Sequence, residues 1–167
     1  KFLCDIGVVP TPEPYKKRTS HGLILGENGE KMSKSRGNVV NPDEMVDKFG
    51  ADAFRLYEMF MGAFDQPIPW STNGLVGMSR FLMRVWELQE KVSADAQADE
   101  ATERLVHQTI QQVGERMETM KFNTAIAALM TLANRFGEQE SIHGAHWRTF
   151  VLLLAPFAPH LCEELWE

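Results

Sequence analysis

The stretch Glu30-Lys31-Met32-Ser33-Lys34-Ser35-Arg36-Gly37-Asn38 decides how this chain is read. It carries three basic side chains, two hydroxyls and a single apolar residue, Met32. Such a segment buries little, so it is expected to be a mobile loop running to Val40. Working outward, His21-Gly22-Leu23-Ile24-Leu25 is a short apolar run bounded by glycine, which reads as a strand. Gly26-Glu27-Asn28-Gly29 reads as a turn, because Asn-Gly tolerates the positive φ that a tight reversal needs. On the other side, Asn41-Pro42-Asp43-Glu44 opens a helix: Asn41 can cap, Pro42 suits the first helical position and Glu44 can close a capping box. Gly50 can end that helix. The order is strand, turn, basic loop, helix.

The loop has a chemical use. Two lysines three residues apart, on a segment too polar to pack, can move together onto a polyanion. When a carboxylate attacks the α-phosphate of ATP, negative charge builds on the departing pyrophosphate. Ammonium groups that reach those oxygens only in the transition state raise the rate rather than tightening ground-state binding. Ser33 and Ser35 can add hydroxyl donors, and Gly37 gives the backbone freedom to move. Two lysines and two serines by themselves are more often a solvated basic loop; string and context together are what single these out. Gly26 to Ser33 also loosely resembles a P-loop, which requires glycine directly before the lysine. Here Glu30 stands in that place, its carboxylate would repel phosphate, and no helix is expected to start at Ser33.

Beyond Gly50 the spacing is helical. Ala53, Leu56, Tyr57 and Phe60 predict a second helix to about residue 62, and residues 62–70, with Pro67 and Pro69, read as a linker. From about 73 onward only helices are expected. Met78, Phe81, Leu82, Val85, Leu88 (or Trp86) and Val92 form one stripe, and Val106, Ile110, Val113, Met117 and Met120 the next. Asn123 can cap a helix with Ile126, Leu129, Met130, Ala133 and Phe136 inward. Ser141 can cap another that runs through Trp147, Phe150, Val151 and Leu154 to Pro156, and Pro159 sits at the start of a last one. Residues 93–100 read as an exposed loop, residues 1–22 as irregular with turns at 10–14. The fold class is mostly α, ending in a helical bundle with short connections.

Composition sets limits. Hydrophobic residues make up 44% of the 167, enough for a packed core. Residues 1–50 hold eight Lys/Arg against seven Asp/Glu, and the remainder nine against sixteen, so the net charge of −6 belongs to the second part. Polyanion contact must then come from local patches such as Lys16-Lys17-Arg18 and Lys31 to Arg36. Cys4 and Cys162 read as two reduced thiols of a cytosolic protein. No apolar run is long enough for a membrane span, and no signal peptide is present. Both chain ends read as cuts through a longer fold.

Lys31-Met32-Ser33-Lys34-Ser35, in its setting of strand, turn and Asn-Pro helix start, resembles the signature loop of class I aminoacyl-tRNA synthetases. Further stretches resemble the leucyl-tRNA synthetase family: residues 21–29, Arg55 to Gly62, Ile68-Pro69-Trp70-Ser71, Arg80 to Trp86, Phe122 to Ala127 and Leu154 to His160. The resemblance covers nearly the whole chain. It implies that residues 1–72 are the late part of a Rossmann-like catalytic domain with a stem-contact connection. Residues 73–167 would then be a helical anticodon-binding domain truncated at its end. It also implies that ATP binds at Lys31, Met32, Ser33, Lys34 and Ser35. Lys34 would contact the leaving pyrophosphate, Lys31 would assist or steady the loop, and the backbone at Met32 would lie near the adenine. Mg2+, leucine and tRNA(Leu) are the further partners implied, with a monomeric cytoplasmic parent enzyme. The family's His-Ile-Gly-His motif, amino-acid pocket and editing domain are absent from the 167 residues, so the fragment alone is expected to be inactive. A valine or isoleucine enzyme is the nearest rival, against which Trp70-Ser71 and Met59 to Gly62 argue. A non-catalytic tRNA-binding or interaction module that keeps the loop by descent is the other.

Three further groups have ordinary readings. Arg80, Arg84 and Lys91 fall within about 40° of one another on a helix of 3.6 residues per turn, opposite the apolar stripe. Glu87 shares that face; it is either a solvated surface or a contact for tRNA phosphates. His143 and His146 lack a third ligand nearby, so no metal site is expected. Trp70, Trp86, Trp147 and Trp166 read as packing residues, as do the methionines around 58–62.

Overall fold

The reversal before the basic loop is the first fixed point. Gly29 N donates to Gly26 O at 2.8 Å, and Gly26 N donates to Glu30 O at 2.8 Å, closing a short hairpin turn. The computed structural model describes residues 1–13 and 15–167. Of the turns expected at 10–14, Pro14 lies outside the described residues. A one-turn helix, α1 (Phe2–Asp5), replaces part of the irregular start.

Only two residues of the run before the turn are strand: β1 (Ile24–Leu25) pairs in parallel with β2 (Ile68–Pro69). The partner lies inside the segment read as a linker. Pro69 concealed it, since proline donates nothing to a ladder. Its neighbours carry the pairing instead: Ile68 N donates to Leu23 O at 3.0 Å and Trp70 N to Leu25 O at 2.8 Å.

Helix α2 (Pro42–Phe49) starts as its sequence predicts, with Asn41 Oδ1 accepting from Asp43 N at 3.2 Å. Glu44 makes no return bond to Asn41 among the described hydrogen bonds, so half of the capping box is realised. Gly50 separates α2 from α3 (Ala51–Phe60). Next comes α4 (Thr72–Leu88), capped by Ser71, whose Oγ accepts from Gly74 N at 3.3 Å. The corner into α4 is tightly built. Ser71 N donates to the buried Tyr57 hydroxyl at 2.7 Å, and Trp70 meets the Tyr57 ring edge-on at 4.9 Å. A Cβ at Gly74 would sit 2.7 Å from Tyr57 Cε2, so only glycine lets the first turn of α4 approach that ring.

The inward side of α4 is Leu75, Met78, Phe81, Leu82, Val85 and Leu88. Each such burial contributes about 1.5–3 kcal/mol relative to exposure. Leu88, not Trp86, completes the stripe; Trp70 and Trp147 are buried in the core, while Trp86 is 46% exposed and Trp166 53%.

The region after 73 is not entirely helical. β3 (Val92–Ser93) and β4 (Ile142–His143) form a second parallel pair. Around it stand α5 (Glu100–Glu118), α6 (Phe122–Glu138), α7 (Gly144–Leu154) and α8 (Pro159–Trp166). Their cores include Phe136, Phe150 and Phe157, all fully buried. On α5 the expected Val106 and Val113 are buried and Met117 packs against the core, but one position differs. Ile110 is exposed, while Thr102 and Thr109 turn inward, the Thr109 hydroxyl donating to Leu105 O at 2.7 Å. Neither proposed cap on the later helices forms. The N-cap of α6 is Lys121 rather than Asn123, and that of α7 is His143 rather than Ser141, both without a side-chain bond.

Asp99, in the stretch read as a loop, caps α5 and joins it to the far end of α6. Its carboxylate accepts from Thr102 N (3.0 Å), the Thr102 hydroxyl (2.6 Å), Arg135 Nη2 (3.2 Å) and Gln139 Nε2 (2.7 Å). The Thr102 hydroxyl in turn accepts from Arg135 Nε and Gln139 Nε2, both at 2.9 Å, so this buried oxygen is fully satisfied. These bonds, that of the Thr102 hydroxyl first, then the Thr102 amide and Arg135, hold the Asp99 carboxyl well below the usual carboxylate range. A depressed folded pKa stabilises the fold in full above the unfolded value, about 3.9, and the stabilisation is lost as pH falls toward the folded value. The difference in urea midpoint between the wild-type chain and Asp99→Asn is therefore expected to be constant above about pH 5 and to shrink below about pH 4. A difference that stays the same from neutral pH down to about pH 3 contradicts this role for Asp99.

Candidate functional site

The loop hangs from the hairpin turn between β1 and α2. Leu25 and Lys31 form an antiparallel bridge, so the loop leaves the sheet at a fixed point. Lys34–Arg36 make a single turn of 3-10 helix with Ser33 at its start, correcting the expectation that no helix begins there. Three residues of 3-10 helix provide no phosphate cradle, and Glu30 still stands before the lysine, so the argument against a P-loop is unchanged. Gly37 ends the turn at φ +67, the left-handed conformation that glycine adopts without penalty.

The internal bonding of the loop is more extensive than its polar composition suggests. Asn38 Oδ1 accepts from Ser33 N at 2.8 Å and Asn38 Nδ2 donates to Lys31 O at 3.4 Å, so one side chain bridges the loop's two limbs. The Ser33 and Ser35 hydroxyls lie 2.8 Å apart. Arg36 pairs with Glu30 at 3.1 Å on the surface. Met32 is half-buried and packs with Val40 against the core. Asn38 is the residue that sequence reasoning missed. The signal was the dipeptide Gly37-Asn38, a left-handed glycine followed by an amide able to reach back across a short loop.

Lys31 and Lys34 are left exposed, and neither ammonium group has an ion-pair partner among the described residues. Two exposed cations on a braced loop can meet a polyanion without first breaking a salt bridge. Arg36, already neutralised by Glu30, is less available. The hairpin is also tied to the helical region. Glu27 Oε1 accepts from the Thr72 hydroxyl at 2.9 Å, and the same hydroxyl accepts from Trp70 Nε1 at 3.1 Å. The turn preceding the loop is thereby fixed to the first residue of α4.

The basic face proposed on α4 is only partly present. Arg80 and Arg84 are exposed, and the Arg84 guanidinium lies 5.7 Å from the centre of the Phe81 ring. Lys91 is different: it falls in a 3-10 turn after α4, and its ammonium donates to Gly137 O (2.7 Å) and Gln139 O (2.8 Å). It satisfies carbonyls at the end of α6, where a cation is also favoured by the helix dipole. That position is a correction to its place among the tRNA-facing residues.

The histidine pair is close, with ring centres 5.1 Å apart. His143 Nδ1 is buried without a partner, and burial, then the neighbouring His143, lowers the pKa of His146. Among the described residues no three His, Cys, Asp or Glu side chains converge to hold a metal. Cys4 and Cys162 are both free thiols, and burial pushes Cys162 up to about 12. Among the described residues no helix is long and apolar enough to cross a membrane.

Residues 7–69 match the family model described as tRNA synthetases class I (I, L, M and V). Residues 99–167 match that for the anticodon-binding domain of tRNA ligase. The whole chain is 55% identical over 167 residues to a leucine–tRNA ligase of Alkaliphilus oremlandii (strain OhILAs) and spans 21% of that protein. It also superposes on a crystal structure of the ternary complex of Agrobacterium radiobacter K84 agnB2 LeuRS with tRNA and LeuAMS. The TM-score is 0.83 at 35% identity, covering 99% of this chain and 24% of that one.

Replacing Asn38 with alanine removes the brace and leaves the Ser33 amide without its partner, a loss of about 0.5–1.5 kcal/mol locally. The Ser33 amide of Asn38→Ala is expected to exchange with deuterium roughly 2- to 12-fold faster than in the wild-type chain. Unchanged protection would show that Asn38 does not hold the loop.

Proposed function

We propose that the parent protein of this chain is a leucine–tRNA ligase, supported by the matches of residues 7–69 to the class I tRNA synthetase model and of residues 99–167 to the anticodon-binding domain model. The parent joins leucine to ATP as leucyl-adenylate with release of pyrophosphate, then transfers leucine to the 3′ end of tRNA(Leu). The observation that carries this reading is the pair of solvated, unpaired lysines, Lys31 and Lys34, on a loop braced by Asn38 and tied through Glu27 to α4.

Within that reaction Lys34 meets the phosphates and the leaving pyrophosphate as charge develops there, and Lys31 assists or steadies the loop. Ser33 and Ser35 supply hydroxyl donors, and the backbone at Met32 lies against the adenine. The donor set of this segment is basic rather than acidic. Mg2+ brought with ATP would therefore be held by the nucleotide's phosphates rather than by these residues, and would supply charge neutralisation there. Residues 1–72 form the end of the catalytic domain and the connection from it, and 73–167 the helical domain. The parent works in the cytoplasm as a monomer. Arg80 and Arg84 contact tRNA phosphates, and Lys91 is left out because its ammonium is engaged at the end of α6.

The test is leucine-dependent pyrophosphate exchange by the full-length parent, read from the complete open reading frame. Lys34→Ala is expected to lower that rate by about 10²–10³. A rate within a few-fold of wild type would remove Lys34 from the chemistry. No exchange by the intact parent with leucine would favour the non-catalytic reading, and exchange with valine or isoleucine the rival specificity. The isolated 167 residues are expected to show no exchange, and robust turnover by them would overturn the division of the ATP site between this segment and the rest.

Reversing Arg80 and Arg84 together to glutamate in the parent is expected to weaken tRNA binding and to flatten its salt dependence by about one to two phosphate contacts. Equal affinity and an equal salt slope in the two proteins would end the assignment of this face.

A further inference from the structure

Helix α8 begins without a cap of its own. Its N-cap is Ala158, which has no polar side chain, and Pro159 follows at the first position. The cap comes from elsewhere in the chain. Asp52, in the first turn of α3, is 8% exposed, and its Oδ2 accepts from Leu161 N at 2.7 Å while its Oδ1 lies 2.7 Å from His160 Nδ1. One turn further along the same face of α3, Arg55 Nη2 donates to Pro156 O at 3.1 Å, satisfying a carbonyl left over where α7 ends. A carboxylate is therefore set at the amino end of α8 and a guanidinium at the carboxyl end of α7, the charge placement that each helix end favours. The two side chains, three residues apart on one helix, grip the corner between α7 and α8 from both sides.

The location matters because α3 belongs to the loop-bearing part. It is separated from the loop only by α2, and its Tyr57 holds the corner into α4. Besides the apolar packing of α3 against α4 and α6, polar bonds tie the loop-bearing part to the helical part at two places: through Glu27 and Tyr57 at the start of α4, and through Asp52 and Arg55 at the α7–α8 corner. Apolar packing is non-directional; directional bonds at two separated points add an orientation to it.

We infer that Asp52 and Arg55 are positioning residues that hold the helical domain in register with the signature loop, so that they set the efficiency of transfer to tRNA more than that of amino-acid activation. This rests on the proposed function. Activation uses the loop, ATP and leucine, none of which involves α7 or α8. Transfer requires a tRNA that contacts the helical domain and the catalytic site at once, and a displacement of about 1 Å far from the chemistry can reduce such a step by as much as 10²-fold. Asp52 also lines a groove of about 650 Å3 between α3, α4 and α8. Water can occupy the place of its carboxylate, so removal releases the tie without leaving a dry cavity.

The experiment uses the full-length parent with Asp52→Ala, Asp52→Asn and Arg55→Ala. Leucine-dependent pyrophosphate exchange is measured beside tRNA charging, with kcat and KM for tRNA determined separately. Exchange is expected to stay within about threefold of wild type, while kcat/KM for charging falls about 10-fold or more in Asp52→Ala and less in Asp52→Asn, which retains an oxygen acceptor for Leu161 N–H. Arg55→Ala, whose side chain is exposed, is expected to follow the same split. Parallel losses of exchange and charging would mark a purely structural role and overturn the inference, as would charging at the wild-type rate. Should Asp52→Ala fail to fold, Asp52→Asn and Arg55→Ala decide by the same criterion. A wild-type parent without leucine-dependent exchange is a separate result that strikes the proposed function itself.

Discussion

The buried Tyr57 hydroxyl, accepting the Ser71 amide at 2.7 Å, is the contact on which the arrangement turns. A backbone N–H at a helix entry has no partner inside the helix and must find one outside. Here it finds a side chain from α3, so α4 can leave the small β1–β2 sheet in only one direction. The same few residues then accumulate duties. Trp70 packs edge-on to the Tyr57 ring, its indole N–H reaches Thr72, and Thr72 reaches Glu27 in the turn before the basic loop. Burial raises the Tyr57 pKa. This cluster sets where the turn before the loop stands relative to the long helix, and the loop's own Met32 and Val40 pack against the core beyond it.

The loop shows how electrostatic readiness can coexist with order. Arg36 is neutralised by Glu30, whereas Lys31 and Lys34 are left to solvent. Asn38 joins the limbs without touching either ammonium group. The geometry separates the residues that hold the loop from those that present charge, an arrangement suited to a group that must act only when phosphate arrives.

The parts legible from sequence were those governed by local rules. Asn41-Pro42 and Ser71 announce helix starts, and the α4 stripe and the signature string can be read along the chain. What could not be read depends on partners distant in sequence. The strand at Ile68–Pro69 was hidden because proline obscures pairing, and both two-residue sheets are too short to show alternation. Ile110 was expected inward because it is apolar, yet Thr102 and Thr109 took the interior once Arg135, Gln139 and a backbone carbonyl satisfied their hydroxyls. Lys91 shared a helical face with Arg80 and Arg84 on paper. The helix ends at Leu88, and the carbonyls that hold Lys91 lie 46 and 48 residues away. The caps expected from Asn123 and Ser141 failed because propensity names candidates without naming where a helix begins.

Asp52 and Leu161 are separated by 109 residues, which has a bearing on how the chain assembles. The α5–α6 hairpin closes over a short turn and can form as soon as its residues exist, since nearby segments meet at little entropic cost. The cap of α8 cannot. During synthesis from the amino end, the Asp52 carboxylate waits in water until the last helix of the segment has emerged, and only then does α8 gain the acceptor its first turn lacks. The tie at the α7–α8 corner is thus a late, long-range closure that neither helix can supply from its own residues.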